Sequence, residues 1–401
     1  MIKDIGLRIH KIHLVLDKDI LKFILLSLPL FNVAYFNEVD SVRKIYRLLM
    51  LIVIAILFAP DIGEGLRKFK YMYLSILLLV SFPVLVTGVN GGDIKATINN
   101  AISIIAVIAV YTYGSKNWGK FIIAQYYLFE FFIYLNLLSE ILFPGGLWVE
   151  EASGYTKNWL LGYYNTHTIY FIPALLMAYL YYRIQHNHRP VYMTIAILIS
   201  AFKLDSGGVK GTLLIMMITF VFFKRYWKMF NYFSYWLLQV VFLIVVVFLS
   251  NSNFFGEVVE KLFQKKLSFY ARVDVWNSAI RYILQSPVWG YGVEDTAQVQ
   301  EKLGWATHAH NLILQLLYQG GLLYLLLFIC LIALAGAKIY KLRKTEIAQV
   351  MSIAFLGWAV DTITEPYITP FLVGMFVLAY DCNGINAVCG DKATGMHRIK
   401  I

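Results

Sequence analysis

Charged residues are too few in this chain to clothe a water-facing surface. Asp, Glu, Lys and Arg supply 15% of its 401 residues, while 59% are hydrophobic. A soluble domain of this length needs far more polar surface, so lipid is the expected solvent. Cysteine is nearly absent. Cys330, Cys382 and Cys389 lie outside the polar loops, so no disulfide framework is implied. Cys382 and Cys389 with His397 fit no standard zinc spacing, and a reduced cytoplasmic tail is the simpler reading. The chain shows no repeat at solenoid period and no low-complexity tract. Acidic residues are outnumbered, and the formal net charge is +11. That excess is not a nucleic-acid footprint. Lys and Arg stand in short segments between apolar runs, as the positive-inside rule places them, with no basic stripe interleaved with aromatics.

What the chain has in quantity is long apolar runs. A span needs about 20 apolar residues. Candidate runs centre on residues 20–36, 45–60, 71–88, 98–113, 121–142, 169–182, 191–204, 211–223, 233–250, 309–337, 347–361 and 370–380. The expected fold class is all-α: a polytopic transmembrane protein with about 12 spans and a long, partly helical extracytoplasmic loop. Residues 1–19 are expected as a cytoplasmic tail and 20–250 as the first nine spans. Residues 251–308 make the long loop, 309–380 a broken or re-entrant helix with the last three spans, and 381–401 a second cytoplasmic tail. The first apolar run ends at no small-residue cleavage site and is expected to stay as an anchor. With a cytoplasmic N-terminus, most of the basic residues fall inside; Arg43, Lys44 and Arg47 are the misfit.

Four polar segments stand on the predicted outer side. In 307–315, His310 and Asn311 open an apolar run that would be about 40 Å long as one helix at 1.5 Å per residue. Gly320 and Gly321 break it, which predicts a short helix dipping in, a break, and a full span around a polar cavity. A histidine at that mouth can act as a general base near neutral pH or serve as an interfacial hydrogen-bonding group. His308 and His310 as zinc ligands would need a third that the sequence does not offer. From Phe254 to Ile283 apolar residues recur at helical spacing, predicting one or two amphipathic helices on the outer face, ended by Pro287 and a turn at Gly290 and Gly292. Arg272 and Trp276 share a face there. Arg272 could clamp a phosphate or pair with Asp274 or a lipid headgroup. The glycine-rich turn 205–212 puts Lys210 at a helix start, a plausible anion site or a snorkelling lysine. In 161–168, Asn165 and His167 could meet sugar hydroxyls, although interfacial aromatics such as those around them are usually membrane anchors.

Taken together, these segments resemble the O-antigen polymerase and O-antigen ligase superfamily of bacterial membrane glycosyltransferases. The pattern is Arg272 with Trp276, Pro287 before Gly290-Tyr291-Gly292, His310-Asn311, and then Gly320-Gly321. Two departures stand beside it: Lys210 replaces the family's usual Arg, and Asn165-Thr166-His167 replaces Asn-Pro-Asn. The resemblance implies a multi-pass protein of the bacterial plasma (inner) membrane, with its site facing the periplasm or exterior. The implied substrate is an oligosaccharide on undecaprenyl diphosphate, and a chain-length regulator protein is a further candidate partner. It implies His310 as catalytic base, Arg272 and Lys210 on the diphosphate, and Asn311, Trp276, Asn165 and His167 as substrate or sugar contacts. No cofactor and no metal are expected, since the diphosphate is already a good leaving group. Asp274, Glu294 and Asp295 are the acids that could orient His310 or bind sugar. A polymerase of repeat units is the leading expectation, a ligase of finished polymer the nearest alternative, and a transporter of the lipid-linked unit a more distant one.

Overall fold

The computed structural model describes residues 17–149, 157–226, 231–249 and 266–390. It is a helical bundle: α1 (Lys18–Ser27), α2 (Ala34–Glu38), α3 (Asp40–Asn90), α4 (Ile94–Gly114), α5 (Trp118–Leu142), α6 (Thr168–Gln185), α7 (Arg189–Lys203), α8 (Gly207–Tyr226), α9 (Tyr232–Leu249), α10 (Lys266–Gln285), α11 (Thr296–Leu303), α12 (Leu312–Lys341), α13 (Glu346–Asp361), α14 (Pro370–Tyr380) and α15 (Cys382–Cys389). A two-residue hairpin pairs Asn158–Trp159 with Gly162–Tyr163. The all-α expectation holds, and large apolar side chains such as Leu85, Val89 and Phe202 point outward, as lipid allows and water does not.

The span count is lower than expected. Among the described residues, four helices are long and apolar enough to cross: Arg67–Asn90 within α3, α4, α5 and α12. The pair α14 and α15, bent by 77°, is a fifth candidate. For three of the expected spans the shortfall from about twelve has a physical reason. Helices α7, α13 and α14 have 15, 16 and 11 residues, short of a hydrocarbon core of about 30 Å, and α13 and α14 bury most of their side chains inside the bundle. An apolar run says that a segment avoids water; it does not say that the segment crosses lipid. The runs 45–60 and 71–88 are one element, α3, whose two limbs meet where Phe69 leaves helical geometry (φ −116°, ψ 17°). The misfit cations Arg43 and Lys44 at its start both pair with Asp40.

Aromatic side chains knit the bundle. Phe31 lies against Phe129, Phe132 and Phe371 at ring separations of 4.7, 5.3 and 5.1 Å. At one end, ion pairs tie helix termini together: Lys120 to Asp17 and Asp19, Lys68 to Asp381, and Arg183 to Glu346. The opposite end gathers the starts of α4, α6, α8 and α12 and the ends of α3 and α13.

The broken helix is present and is one limb of a clamp. Gly321 (φ 60°, ψ −159°) interrupts α12. The carbonyls of Tyr318 and Gln319, freed by the break, accept from the N–H groups of Tyr291 (2.9 Å) and Gly292 (2.7 Å), while the Leu322 N–H donates to Pro287 (2.8 Å). This closeness demands glycine. A Cβ on Gly290 would lie 2.5 Å from the Gly320 nitrogen, and one on Gly321 only 2.2 Å from the Val288 carbonyl carbon. The helix expected in the long loop is α10, which ends at Gln285 ahead of Pro287. It buries Val275, Trp276, Ala279 and Ile283 with Val299 and Leu303 of α11 and Leu314 and Tyr318 of α12, so this face is covered by protein. Residues 251–265 lie outside the described residues, and with them the first part of the amphipathic pattern.

Candidate active site

The acidic group that organises the site is Glu365, in the loop between α13 and α14. Its side chain is 6% exposed and receives neighbours from three other chain segments and from its own loop. Arg272 of α10 donates to Oε1 at 2.8 Å, and Asn165 donates to the same oxygen at 3.0 Å. The Tyr367 hydroxyl donates to Oε2 at 3.2 Å. His308 Nε2 and His310 Nδ1 face Oε2 at 3.8 and 3.9 Å, too long for hydrogen bonds. Asn165 is held in turn by Ser206, whose hydroxyl donates to Asn165 Oδ1 (2.7 Å) and accepts from Val209 N–H at the first turn of α8 (3.2 Å). Three segments far apart in sequence therefore meet on one carboxylate, and a fourth, at Ser206, steadies Asn165 behind them.

His310 is held in a conformation it would not choose. Its φ of 46° is left-handed, which costs a non-glycine residue on the order of 1–3 kcal/mol. Three contacts fix it: its N–H donates to His308 Nδ1 (3.2 Å), its carbonyl accepts from the Trp276 indole (3.2 Å), and the exposed Trp305 ring lies 5.3 Å from the imidazole. The next residue, Asn311, caps α12 by accepting from Leu314 N–H (3.1 Å) and donates to the Ile363 carbonyl (3.1 Å). The imidazole is buried, and its Nδ1 has no hydrogen-bond partner among the described residues.

Burial, then His308 and Arg272, depress His310 to about 2. Burial and then Arg272 bring His308 down to about 4. Both rings are neutral at neutral pH, so the contacts with Glu365 are not ion pairs. Burial raises Glu365 above the ordinary carboxyl range, although Arg272 pulls the other way. The site is thus one guanidinium, one carboxyl group paired with it, and two neutral imidazoles, with His310 Nδ1 buried and without a hydrogen-bond partner among the described residues.

The sequence expectations divide. Arg272 and His310 come together on Glu365. Lys210 is exposed on the first turn of α8, four residues after Ser206, and has no ion-pair partner among the described residues. Gly208, on the same turn, lies within 3.9 Å of Thr364 once a Cβ is added, so this helix start borders the site. Trp276 and Asn311, each 1% exposed, direct polar atoms to the backbone carbonyls of His310 and Ile363. His167 is fully buried and faces Glu140 at 3.5 Å, with its Nδ1 on the Tyr163 carbonyl at 3.1 Å. Glu140 also accepts from Asn136 (2.6 Å) and Ser200, and this network holds the Tyr164–His167 turn that presents Asn165. None of the expected acids reaches His310. Glu294 binds Lys302 and Tyr318, Asp295 caps α11, and Asp274 is exposed. Glu365 went unnoticed; its signal is a Thr-Glu-Pro interrupting an otherwise apolar C-terminal region.

Glu365 is also the third ligand that the sequence failed to offer a metal. One ligand atom each from His308, His310 and Glu365 lie within 4.8 Å of one another. Two features oppose a cation there. Arg272 already places a positive charge on the carboxylate, and His308 Nδ1 accepts a backbone N–H, which leaves the proton on the nitrogen that would have to ligate. A cavity of about 360 Å³ opens beside the cluster, walled partly by His308 and Tyr367.

Residues 191–329 match the family model described as O-antigen ligase, and this supports the superfamily whose pattern the sequence carries. The matched stretch includes Lys210, Arg272, Trp276, His310, Asn311 and the glycine break, but not Asn165 or Glu365. No curated protein matches the chain.

Proposed function

We propose that this membrane protein is a metal-independent, inverting glycosyltransferase that polymerises oligosaccharide units carried on undecaprenyl diphosphate, at the outer face of a bacterial plasma membrane. The observation that carries the reading is the convergence of Arg272, His308 and His310 on Glu365. An acceptor hydroxyl attacks the anomeric carbon of the donor sugar. The bond from that carbon to the diphosphate oxygen breaks, and its electron pair leaves with the diphosphate, held by Arg272 and Lys210. The hydroxyl proton passes to His310 Nδ1, with Glu365 beside it to stabilise the imidazolium. A diphosphate arriving opposite Arg272 offsets the positive charge that depresses His310, so donor binding itself raises the basicity of the ring. A single displacement inverts the anomeric centre.

The family match is equally compatible with a second reading, a ligase that moves finished polymer from the carrier to another acceptor. One experiment separates the two. A host that lacks the gene but makes its polysaccharide is complemented with wild type or His310→Ala, and surface glycans and carrier-linked intermediates are run on gels. A polymerase gives a wild-type ladder and, in the variant, single units on the final acceptor. A ligase variant instead accumulates long chains on the carrier. A variant identical to wild type in every band removes His310 from the chemistry. Transfer in purified membranes is expected to survive EDTA; its loss, with recovery on adding a divalent metal, would overturn the metal-independent mechanism.

A further inference from the structure

The cavity beside the Glu365 cluster differs from the cluster in chemistry. Its walls come from the second limb of α3, the first turns of α4, residues 292–294, and the half-helix of α12 before Gly321. No lysine or arginine lines it among the described residues. Its acid, Glu294, is already satisfied by Lys302 and Tyr318. The remaining polar lining includes Asn100, which is exposed, and Gln319, which is half-buried, neither amide having a protein hydrogen-bond partner among the described residues, and these share the walls with Tyr324 and Tyr367. A diphosphate would find no countercharge here, and a hydrocarbon tail would strand the amides. A neutral polyol would suit both the amides and the aromatic faces. The volume lies in the range of small-ligand sites.

The cavity also has a defined inner end. His308 and Tyr367 line it, and both aim at Glu365 Oε2, the same oxygen that His310 Nδ1 faces. We propose that the cavity is the acceptor subsite: it binds the terminal sugar of the accepting saccharide through Asn100 and Gln319 and directs one hydroxyl past His308 toward His310. The donor diphosphate lies on the other side of Glu365, at Arg272. The acceptor assignment rests on the glycosyl-transfer reading; binding of a neutral sugar in the cavity does not.

The test uses full-length protein in nanodiscs and, as probe, the host's own repeat unit released from its carrier, free of lipid and phosphate. Binding is followed by calorimetry for wild type, Asn100→Ala/Gln319→Ala and Arg272→Ala, and transfer is followed with the lipid-linked unit. The double variant is expected to bind the probe at least fivefold more weakly and to raise KM for the acceptor with kcat nearly unchanged. Arg272→Ala is expected to bind the probe as wild type does. Ala96→Trp, which narrows the same cavity, serves as an independent second variant, and melting temperatures confirm folding. The proposal is overturned if wild type does not bind the probe, or if both cavity variants bind it as wild type does. If wild type binds the probe and the cavity variants lose it, but no lipid-linked unit is consumed, the sugar site stands and the glycosyl-transfer reading falls.

Discussion

At the scale of single residues, Glu365 decides the behaviour of its neighbours. Glu365→Gln keeps the shape and an acceptor for Asn165 but leaves Arg272 without its charge partner. The kcat/KM for transfer is expected to fall about 10- to 100-fold, equivalent to the ~1.5–3 kcal/mol of a hydrogen bond to a charged group; an unchanged value would make Glu365 a bystander. The histidines give a pH signature. His308 falls from 6.5 in the unfolded chain to about 4 in the fold, so over that window the unfolded chain holds more protons. Stability is complete above the upper value and is lost as pH falls through the window. His310 acts in the same direction, while Glu365, held above its usual range, acts in the opposite one. The melting temperature of the purified protein is expected to fall on acidification, and His308→Gln is expected to flatten that slope. A slope that His308→Gln leaves unchanged would place the titration elsewhere.

At the scale of elements, glycine separates the breaks that can be read from those that cannot. Gly320-Gly321, Pro287, Gly290 and Gly292 announced a break and a turn, because positive φ and close approach leave marks in composition. That the turn fastens the break is a tertiary fact, and no spacing encodes it. Glu365 escaped for the same reason: it sits in a loop far along the chain, and only folding brings it to Arg272 and His310. Gly290→Ala is expected to destabilise the protein by ~2 kcal/mol or more, because its Cβ would meet backbone that cannot yield. Gly63→Ala, inside α3 with nothing within 4 Å of the new methyl, is expected to stabilise by ~0.5–1 kcal/mol. Chemical denaturation compares the two; equal effects would mean that the clamp carries no strain.

At the scale of the whole molecule, the two ends divide the work. One end gathers the polar cluster and the cavity. At the other, Asp381 receives Lys68 (2.6 Å) and the Trp118 indole (2.6 Å), joining α3 and α5 to the bend after α14. Asp381→Asn is expected to lower stability by ~1–3 kcal/mol while leaving acceptor KM unchanged, as melting and transfer kinetics would show. A changed KM would mean that the ends are coupled. Lys68, Lys120 and Arg183, each from a short basic segment between apolar runs, pair at this end; the number of crossings did not follow from the apolar runs, because hydropathy does not measure burial by neighbours. The clamp on α12 also bears on biogenesis. The donors at Tyr291 and Gly292 are translated before the Tyr318 and Gln319 carbonyls they satisfy, so the half-helix is made with its partner already present. In a Cys330→Ser background, a ribosome-stalled chain with residues 287–292 replaced by serines should therefore leave Leu314→Cys, at a buried position of the half-helix, open to a membrane-impermeant thiol reagent, while the native 287–292 segment protects it; equal labelling would show that the half-helix seats itself without the clamp.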